Sequence, residues 1–338
     1  MWQSSTESTA QPWSDIVRQT DDHFLRPLSA ARGDLLRCGQ RFIDTAKFIF
    51  CHAIVMNRPA PSHQASEISQ TPDGGGWHCS HLYYTWDRGV LARLPADVMA
   101  AGRADVIARL DPQAEDAPLR LQTSIVSGHK ADFGLMLMDS DPLKIDRVHQ
   151  RLMAGPLGAA LQPGYSFVSM TEISEYVPSV EQFGQRLVVE GEQEGSPTYQ
   201  AKLDGYQKRL VGMNRQRLTP DFPPYPNTCF YPMNKKRKVG ENWFMLSKEE
   251  RNKLMSEHAR SGMAFAGKVS QLISVGLGLD DWEWGVTLWA ANPEFLKDIV
   301  YRMRFDEASA RYAEFGPFLV SYVCTPGEMI EHCLGAED

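Results

Sequence analysis

The sequence lacks an excess of positive charge, which is the usual mark of a protein that binds nucleic acid. Its 35 lysine and arginine residues are outnumbered by 42 aspartate and glutamate residues, and the net charge at pH 7 is -7. Recognition of a phosphate backbone needs a basic patch or stripe. We therefore expect no nucleic-acid partner.

Long hydrophobic runs are also absent. No stretch of the chain approaches the roughly 18 apolar residues that cross a bilayer as a helix. The polar first segment, MWQSSTESTAQPWSD, lacks the basic and apolar regions of a secretory signal. These absences predict a cytoplasmic protein without a membrane span.

Cysteine is scarce, and its positions show no paired spacing. Scattered thiols of this kind are typical of a reducing compartment and predict packed side chains rather than disulfides. The six residues are Cys38, Cys51, Cys79, Cys229, Cys324 and Cys333. One segment, GGGWHCSH, brings His78, Cys79 and His81 together and could bind zinc, although its spacing fits no standard zinc motif and a polar loop is the alternative.

The chain does contain enough apolar residues for a large core and an internal repeat that organises them. Of its 338 residues, 43% are hydrophobic, which suits two domains of ordinary size. Residues 132–138 match residues 283–289 at an offset of 151, and both segments alternate as strands do. At the same offset, Asp141-Pro142 and Asn292-Pro293 are helix-start signals. The repeat predicts helices near 142–153 and 293–303, with closing strands around 167–169 and 318–320.

Further strand patterns precede each copy of the repeat, at 47–56 in the first half and at 242–245 and 268–275 in the second. Several strands and two helices per half predict an α+β protein with two ferredoxin-like domains side by side. The expected organisation is an N-terminal arm at 1–46, a first domain at 47–180 with an insertion at 57–118, a linker at 181–228 and a second domain at 229–338.

Two polar side chains lie on otherwise apolar faces in the second domain. A capping box at Ser247 and Glu250 opens a helix that carries His258 on the same face as Leu254. This histidine is either a hydrogen-bonded structural residue or a metal or haem ligand. In the next strand, Gln271 shares one face with Val269 and is either a core amide bonded to the backbone or an amide facing a ligand cavity.

The segment FYPMNKKRKVGENWF at 230–244 places Tyr231 four residues before Lys235. By itself this segment could equally be a basic surface loop, and Arg217 and Arg304 are also uninformative alone, because most arginines face solvent.

Several motifs taken in order carry more information than any of them alone. The string comprises Y-P-M-x-K at 231–235, N-W at 242–243, E-R-x-x-L-M-x-x-H at 250–258, G-K-V-x-Q-L-I at 267–273, L-D-D-x-E-W-G-V at 279–286 and M-R-F-D-E-x-S-A at 303–310. It closely resembles the coproheme decarboxylase branch of the chlorite dismutase family. The resemblance covers about 47–56 and 119–330.

The resemblance implies a dimeric α+β barrel fold, with haem bound in the C-terminal half and a homo-oligomer that is commonly a pentamer. It implies hydrogen peroxide-dependent oxidative decarboxylation of two propionates of iron coproporphyrin III (coproheme) to vinyls. Haem b would form through a monovinyl-tripropionate intermediate, and the porphyrin would be both substrate and redox centre. It also implies transient contact with the ferrochelatase that acts before this enzyme.

The resemblance further implies roles for single residues. His258 would be the proximal iron ligand, Tyr231 the redox-active phenol and Lys235 its partner at the reactive propionate. The remaining substrate-binding residues would be Arg217, Met233, Trp243, Gln271, Arg304 and Ser309. Gln271 stands where the chlorite-degrading branch has an arginine, which argues against chlorite as substrate. Asn234 and Met263 depart from the decarboxylase pattern but are not proposed catalytic groups.

Two other functions remain open at the level of the sequence. One is a chlorite dismutase or general peroxidase, which added chlorite would reveal by oxygen release. The other is a haem-binding protein without turnover, which the presence of both Tyr231 and Lys235 argues against.

Overall fold

The computed structural model describes residues 70–72 and 74–336. The predicted N-terminal arm at 1–46 and the predicted strand at 47–56 lie outside the described residues.

The first half of the described chain is a complete ferredoxin-like unit. Its strands are β1 (His78–Trp86), β2 (Arg120–Val126), β3 (Phe133–Asp139) and β4 (Leu161–Thr171), and its helices are α1 (Arg88–Leu91), α2 (Ala96–Arg109) and α3 (Pro142–Ala154). The strands pair antiparallel in the order β2-β3-β1-β4. Two further helices, α4 (Val180–Val189) and α5 (Pro197–Leu218), lead to the second half.

The second half repeats the arrangement with additions. It contains β5 (Asn227–Lys235), a small hairpin of β6 (Arg237–Lys238) and β7 (Glu241–Asn242), α6 (Lys248–Met263), β8 (Val269–Val275), β9 (Trp284–Ala290), α7 (Pro293–Met303), α8 (Glu307–Ala310), β10 (Ala313–Phe315), β11 (Leu319–Cys324) and α9 (Pro326–Leu334). Within it the strands pair in the order β8-β9-β5-β11. The predicted α+β class with two ferredoxin-like domains is thus confirmed.

The two halves join into one closed antiparallel barrel. β11 pairs with β2 at one seam, and β4 pairs with β8 at the other. β5 pairs with both β9 and β11, which closes the ring of eight strands, and β10 adds to the far end of β5. Closure removes the unpaired edges that an open sheet would expose.

The internal repeat has a clear structural basis. Asp141 and Asn292 both cap their helices, accepting hydrogen bonds from Leu143 N and Glu294 N. At the same offset, α3 buries Ile145, Val148 and Leu152 where α7 buries Leu296, Ile299 and Met303. Both predicted helices and the strands before and after them are confirmed.

Two glycines of the repeat make room for aromatic rings. A Cβ atom at Gly134 would lie 2.6 Å from the ring of Tyr83, and one at Gly285 would lie 2.5 Å from the ring of Phe167. Both separations are too short for non-bonded carbon atoms. Glycine at these positions therefore lets large side chains fill the barrel.

Three sequence-based expectations were wrong. The expected insertion at 57–118 contains β1 and α2, which are integral parts of the first ferredoxin-like unit. The expected linker at 181–228 contains most of α4 and all of α5, which pack together with Phe183 stacked on Tyr206 at 4.1 Å. Residues 243–245 form a 3-10 turn rather than a strand, because the side chain of Asn242 accepts a hydrogen bond from Phe244 N.

The barrel interior explains why the zinc alternative fails. Alternation along β1 directs Cys79 and His81 to one face and His78 to the other. His81 is buried, stacks on Phe230 at 4.0 Å and contacts Thr287 Oγ1 through Nε2 at 2.8 Å. Among the described residues, no three His, Cys, Asp or Glu side chains are grouped to hold a metal ion.

Cys79, Cys229, Cys324 and Cys333 are free thiols, as expected. In the described part of the chain, no helix is long and apolar enough to cross a membrane.

Acid should destabilise the barrel through His81. Burial lowers the pKa of His81 to about 3 from its ordinary 6.5. Between these values the unfolded chain binds a proton that the folded chain does not, so stability falls as pH falls from 6.5 towards 3. We expect wild type to lose roughly 2 kcal/mol more than His81→Gln between pH 7 and pH 5 in urea unfolding. His332→Gln, at an exposed position on α9, is the control. An equal pH dependence of His81→Gln and wild type would contradict this role.

Candidate functional site

Candidate site residues lie on the outer face of the barrel, where β5, β8 and β9 meet the helices of the second half. Tyr231 belongs to a buried apolar cluster with Val286 and Leu288 of β9 and Leu296 and Ile299 of α7. Because side chains alternate along a strand, Met233 and Lys235 follow Tyr231 on this same face of β5. Met233 packs against the same cluster.

Tyr231 is held by aromatic packing. Its ring stacks on Phe318 with 4.4 Å between centroids and also contacts Phe315 at 5.8 Å. Burial raises the pKa of Tyr231 well above its ordinary value, although Arg304 opposes this effect, so the phenol is protonated at neutral pH. No described residue is a hydrogen-bond partner of its hydroxyl. The ring is fixed while the O–H group is available to a ligand.

Arg304 packs against the same two phenylalanine rings as Tyr231. Its guanidinium carbon lies 4.0 Å from the ring centre of Phe315 and 5.9 Å from that of Phe318. The residue is exposed at the end of α7 and has no ion pair within the described part of the chain. Phe315 and Phe318 thus place a phenol and an uncompensated cation side by side.

Lys235 is a buried cation at the end of β5. Its Nζ donates a hydrogen bond to Ala308 O at 2.9 Å and lies 4.2 Å from the centre of the Trp243 indole ring. Burial lowers the pKa of Lys235 from 10.5 to about 8, while the Asp306 carboxylate acts in the opposite direction. Trp243 is itself buried and contacts Tyr312 edge-on at 5.5 Å.

His258 lies on α6, whose predicted capping box is present. Its Nδ1 bonds to Asp306 Oδ2 at 3.0 Å, and Ser309 Oγ lies 3.3 Å from the same nitrogen. Burial raises the pKa of Asp306, but the bonds from His258 and Ser309 outweigh it and the net effect is a lowered pKa. A carboxylate on Nδ1 leaves Nε2 as the nitrogen for a metal, as in many histidine-ligated metal sites.

Gln271 and Arg217 are placed differently. Gln271 is exposed on β8 while Val269 and Ile273 on the same face pack against the cluster of Tyr231. The core-amide alternative for Gln271 is therefore wrong. Arg217 is half-buried in the last turn of α5, and burial lowers its pKa. It has no ion pair among the described residues, and the structure does not bring it into contact with the other candidates.

Sequence reasoning missed the supporting residues Asp306, Phe315 and Phe318. Asp306 stands inside the motif at 303–310, and its position three residues before Ser309 is the signal that could have marked it as a helix cap. Nothing in the local pattern marks Phe315 or Phe318, because their role depends on packing across β5.

The donor set fits an iron porphyrin that carries free carboxylates. His258 offers one imidazole nitrogen whose orientation is fixed by a carboxylate on the other, an arrangement typical of histidines that bind metals. Arg217 and Arg304 are cations without a protein partner among the described residues, and guanidinium groups suit carboxylates. Tyr231 offers a protonated phenol whose hydroxyl is free to contact a ligand.

A buried cation at a site should reduce stability. In wild type the unfolded chain holds the Lys235 proton between about pH 8 and 10.5 where the folded chain releases it, so stability rises with pH in this window. We expect Lys235→Met to be on the order of 1 kcal/mol more stable at pH 7, after allowance for the lost hydrogen bond, and the gain to shrink towards pH 10. Urea unfolding measures both effects.

The matched control is Lys268→Met. Lys268 is exposed and lies 5.2 Å from the ring centre of Phe295, so removal of its charge relieves no burial. A Lys235→Met variant that is less stable than wild type at pH 7 would contradict the prediction.

A family model and solved structures of other proteins match this chain. The model of the family described as "Chlorite dismutase" matches residues 99–324, more than half of the chain. A haem-binding protein from Thermus thermophilus is 31% identical, with 77% of this chain and 96% of that chain covered and a TM-score of 0.63.

Chlorite dismutase structures from Candidatus Nitrospira defluvii are similar in fold. One in complex with imidazole is 17% identical over 77% of this chain and 95% of that chain, with a TM-score of 0.58. A mutant form is also 17% identical over 78% and 97% of the two chains, with the same TM-score. The family match and the barrel agree, and the chain belongs to the chlorite dismutase family.

Proposed function

We propose that this protein is a coproheme decarboxylase, which converts iron coproporphyrin III to haem b with hydrogen peroxide as oxidant. The observation that carries the proposal is the Tyr231 phenol, which is buried, protonated and without a hydrogen-bond partner among the described residues, and which packs on the same two phenylalanines as Arg304. A haem carrier has no evident need for an available phenol beside a carboxylate-binding cation.

The proposed reaction removes carbon dioxide from two propionates. In each step a propionate, one hydrogen peroxide and one proton give a vinyl group, carbon dioxide and two water molecules, so the substrate loses two electrons and peroxide gains them. When bound, the substrate's own iron passes these oxidising equivalents from peroxide to the site, which makes the porphyrin both substrate and redox centre.

His258 would hold the iron through Nε2. Asp306 keeps the proton on Nδ1 and fixes the orientation of the ring. A buried carboxylate in this position makes the imidazole a stronger donor to the metal. Arg217 and Arg304 would bind propionates that do not react, since both are cations without an ion pair in the described part of the chain. Ser309, whose hydroxyl contacts His258, would support the ring rather than the substrate.

Tyr231 would pass one electron towards the iron and release its phenolic proton. The tyrosyl radical then takes a hydrogen atom from the propionate carbon attached to the pyrrole ring, which restores the phenol. The carbon radical would then give up the second electron to the oxidising equivalents that peroxide supplied through the iron, and cleavage of the bond to the carboxylate carbon would release carbon dioxide and leave the vinyl group. Stacking on Phe318 keeps the phenol in one orientation, so that contact with the propionate depends mainly on how the substrate is held.

Lys235 and Gln271 would tune this chemistry. A lysine with a lowered pKa can neutralise the reactive carboxylate and can also exchange a proton near neutral pH. Met233 and Trp243 would complete the apolar wall beside Lys235. Gln271 is neutral, so it would stabilise an anionic oxidant such as chlorite less than a cation does.

A second candidate is haem binding without turnover, because the 31% identical relative is known as a haem-binding protein. A third is chlorite dismutase or peroxidase activity. From the resemblance alone we also propose a homopentamer in the cytoplasm that transiently contacts the ferrochelatase supplying its substrate.

The deciding experiment is a titration of the coproheme complex with hydrogen peroxide, followed by mass spectrometry. Loss of one and then two carboxyl groups as carbon dioxide supports decarboxylation. Release of oxygen from added chlorite would favour the dismutase, and no product in either assay would favour the binding protein.

Replacement of Tyr231 by Phe tests the phenol directly. Tyr231→Phe keeps the stacking ring and removes only the O–H group, so coproheme should bind with nearly unchanged affinity. Product formation should fall at least a hundredfold while peroxide bleaches the porphyrin, because a positioned proton or radical group contributes about 10² or more. Tyr322→Phe, on the same outer face of the barrel but exposed, is the control. Haem b formation by Tyr231→Phe at a rate near that of wild type would show that another group, with Trp243 first, is the relay.

Replacement of both Arg217 and Arg304 by Ala tests carboxylate binding. We expect the affinity for coproheme to fall at least tenfold, which corresponds to about 1.4 kcal/mol. The affinity for the tetramethyl ester of the same porphyrin should change little, because the ester has no free carboxylates. Binding is measured by spectral titration, with the exposed Arg186→Ala as control. Equal losses for acid and ester would mean that the two arginines are structural.

A further inference from the structure

The short helix α8 and its N-cap are bonded at two points to groups of the proposed active site. It has only four residues, and Asp306 caps its start by accepting a hydrogen bond from Ser309 N at 3.0 Å. The other carboxylate oxygen of Asp306 bonds to His258 at 3.0 Å. With 1% of its side chain exposed, Asp306 has little freedom to move.

Lys235 bonds to the second residue of α8. Because α8 has only four residues, its carbonyl groups have no partners among its own N–H groups, and the Ala308 carbonyl is one of them. Lys235 supplies both a donor and a charge, since its Nζ bonds to Ala308 O at 2.9 Å. The following strand β10 keeps this contact in register, because Ala313 pairs with Lys235 and Lys236 N bonds to Tyr312 O.

No direct contact joins His258 to Lys235 in the described part of the chain, and they lie on different elements, α6 and β5. Each is tied to α8 instead, and Trp243 confines the lysine from a further side at 4.2 Å. A displacement of α8 would therefore move the hydrogen-bond partners of both groups together.

We propose that Asp306 is a positioning residue that, through α8, fixes the ammonium group of Lys235 relative to the iron-binding nitrogen of His258. This inference rests on the proposed function, in which these groups hold the iron and act at a propionate. A single buried carboxylate thereby sets two contacts with one substrate, and a disturbance of α8 at Ala308 is felt at His258.

A double-mutant cycle tests the coupling. Asp306→Asn removes the charge but retains a good helix cap, because Asn caps as well as Asp. Lys235→Met removes the cation and keeps most of the side-chain volume. Substitutions within one hydrogen-bond network have coupled effects in such cycles, whereas the effects of distant substitutions are additive. We expect the combined effect on the rate of vinyl formation to differ from the product of the single effects by at least about twofold.

A spectroscopic measurement tests the same coupling without turnover. Ferrous haem b is bound to each variant, and the iron-histidine stretching band is recorded by resonance Raman spectroscopy. Lys235→Met should shift this band although Lys235 does not contact His258, and Asp306→Asn should shift it further. Lys268→Met, which removes a cation in contact with Phe295 away from α8, should leave the band unchanged.

The outcomes separate the two proposals. A shifted band in Lys235→Met together with no haem b formation by wild type would support the positioning role and overturn the proposed function. Haem b formation by wild type with independent single effects and an unshifted band would overturn the positioning role and leave the proposed function standing. A band shifted equally by Lys268→Met would also overturn the positioning role, because the response would not pass through α8.

Discussion

Closure of the barrel through β5 is the constraint on which the other features depend. β5 pairs with β9 on one side and with β11 and β10 on the other, so neither edge of this strand is free. One face of β5 directs Phe230 into the packed interior, and the opposite face directs Tyr231 towards the helices. The strand cannot slip by one residue without exchanging these two faces. The position of the phenol is therefore fixed by the same hydrogen bonds that close the fold.

Buried charge at one end of β5 costs stability. Lys235 and Asp306 are both buried, and each is satisfied by specific bonds rather than by solvent. Charges removed from water are tolerated only when such bonds are well formed. Proteins retain groups of this kind mainly at sites where chemistry or binding requires them. The interior of the barrel presents a different case, since His81 remains there as a neutral, stacked ring.

Local patterns in the sequence were sufficient for much of the fold. The offset of 151 residues located α3 and α7 and the strands around them, because a cap, a proline and an apolar spacing of three and four residues are local signals. At 181–228 the same signals are present, because Ser179 opens α4 with a capping box and Ser196 followed by Pro197 opens α5, but the linker prediction passed over them. In 57–118, the buried positions of β1 do not alternate regularly. His258 and Gln271 were identified as polar residues on otherwise apolar faces, but their partners could not be named.

The sequence by itself determined the fold class, the repeat, the capping of α6 and a set of candidate residues. Only the tertiary structure decided that Asp306 bonds to His258, that Lys235 bonds to α8, that Tyr231 and Arg304 pack on Phe315 and Phe318, and that Arg217 stands apart. The physical reason is how far apart along the chain the contacting residues lie. A helix cap depends on residues two or three positions away, whereas a bond across 48 or 73 residues exists only after the barrel has closed and brought α6, β5 and α8 together.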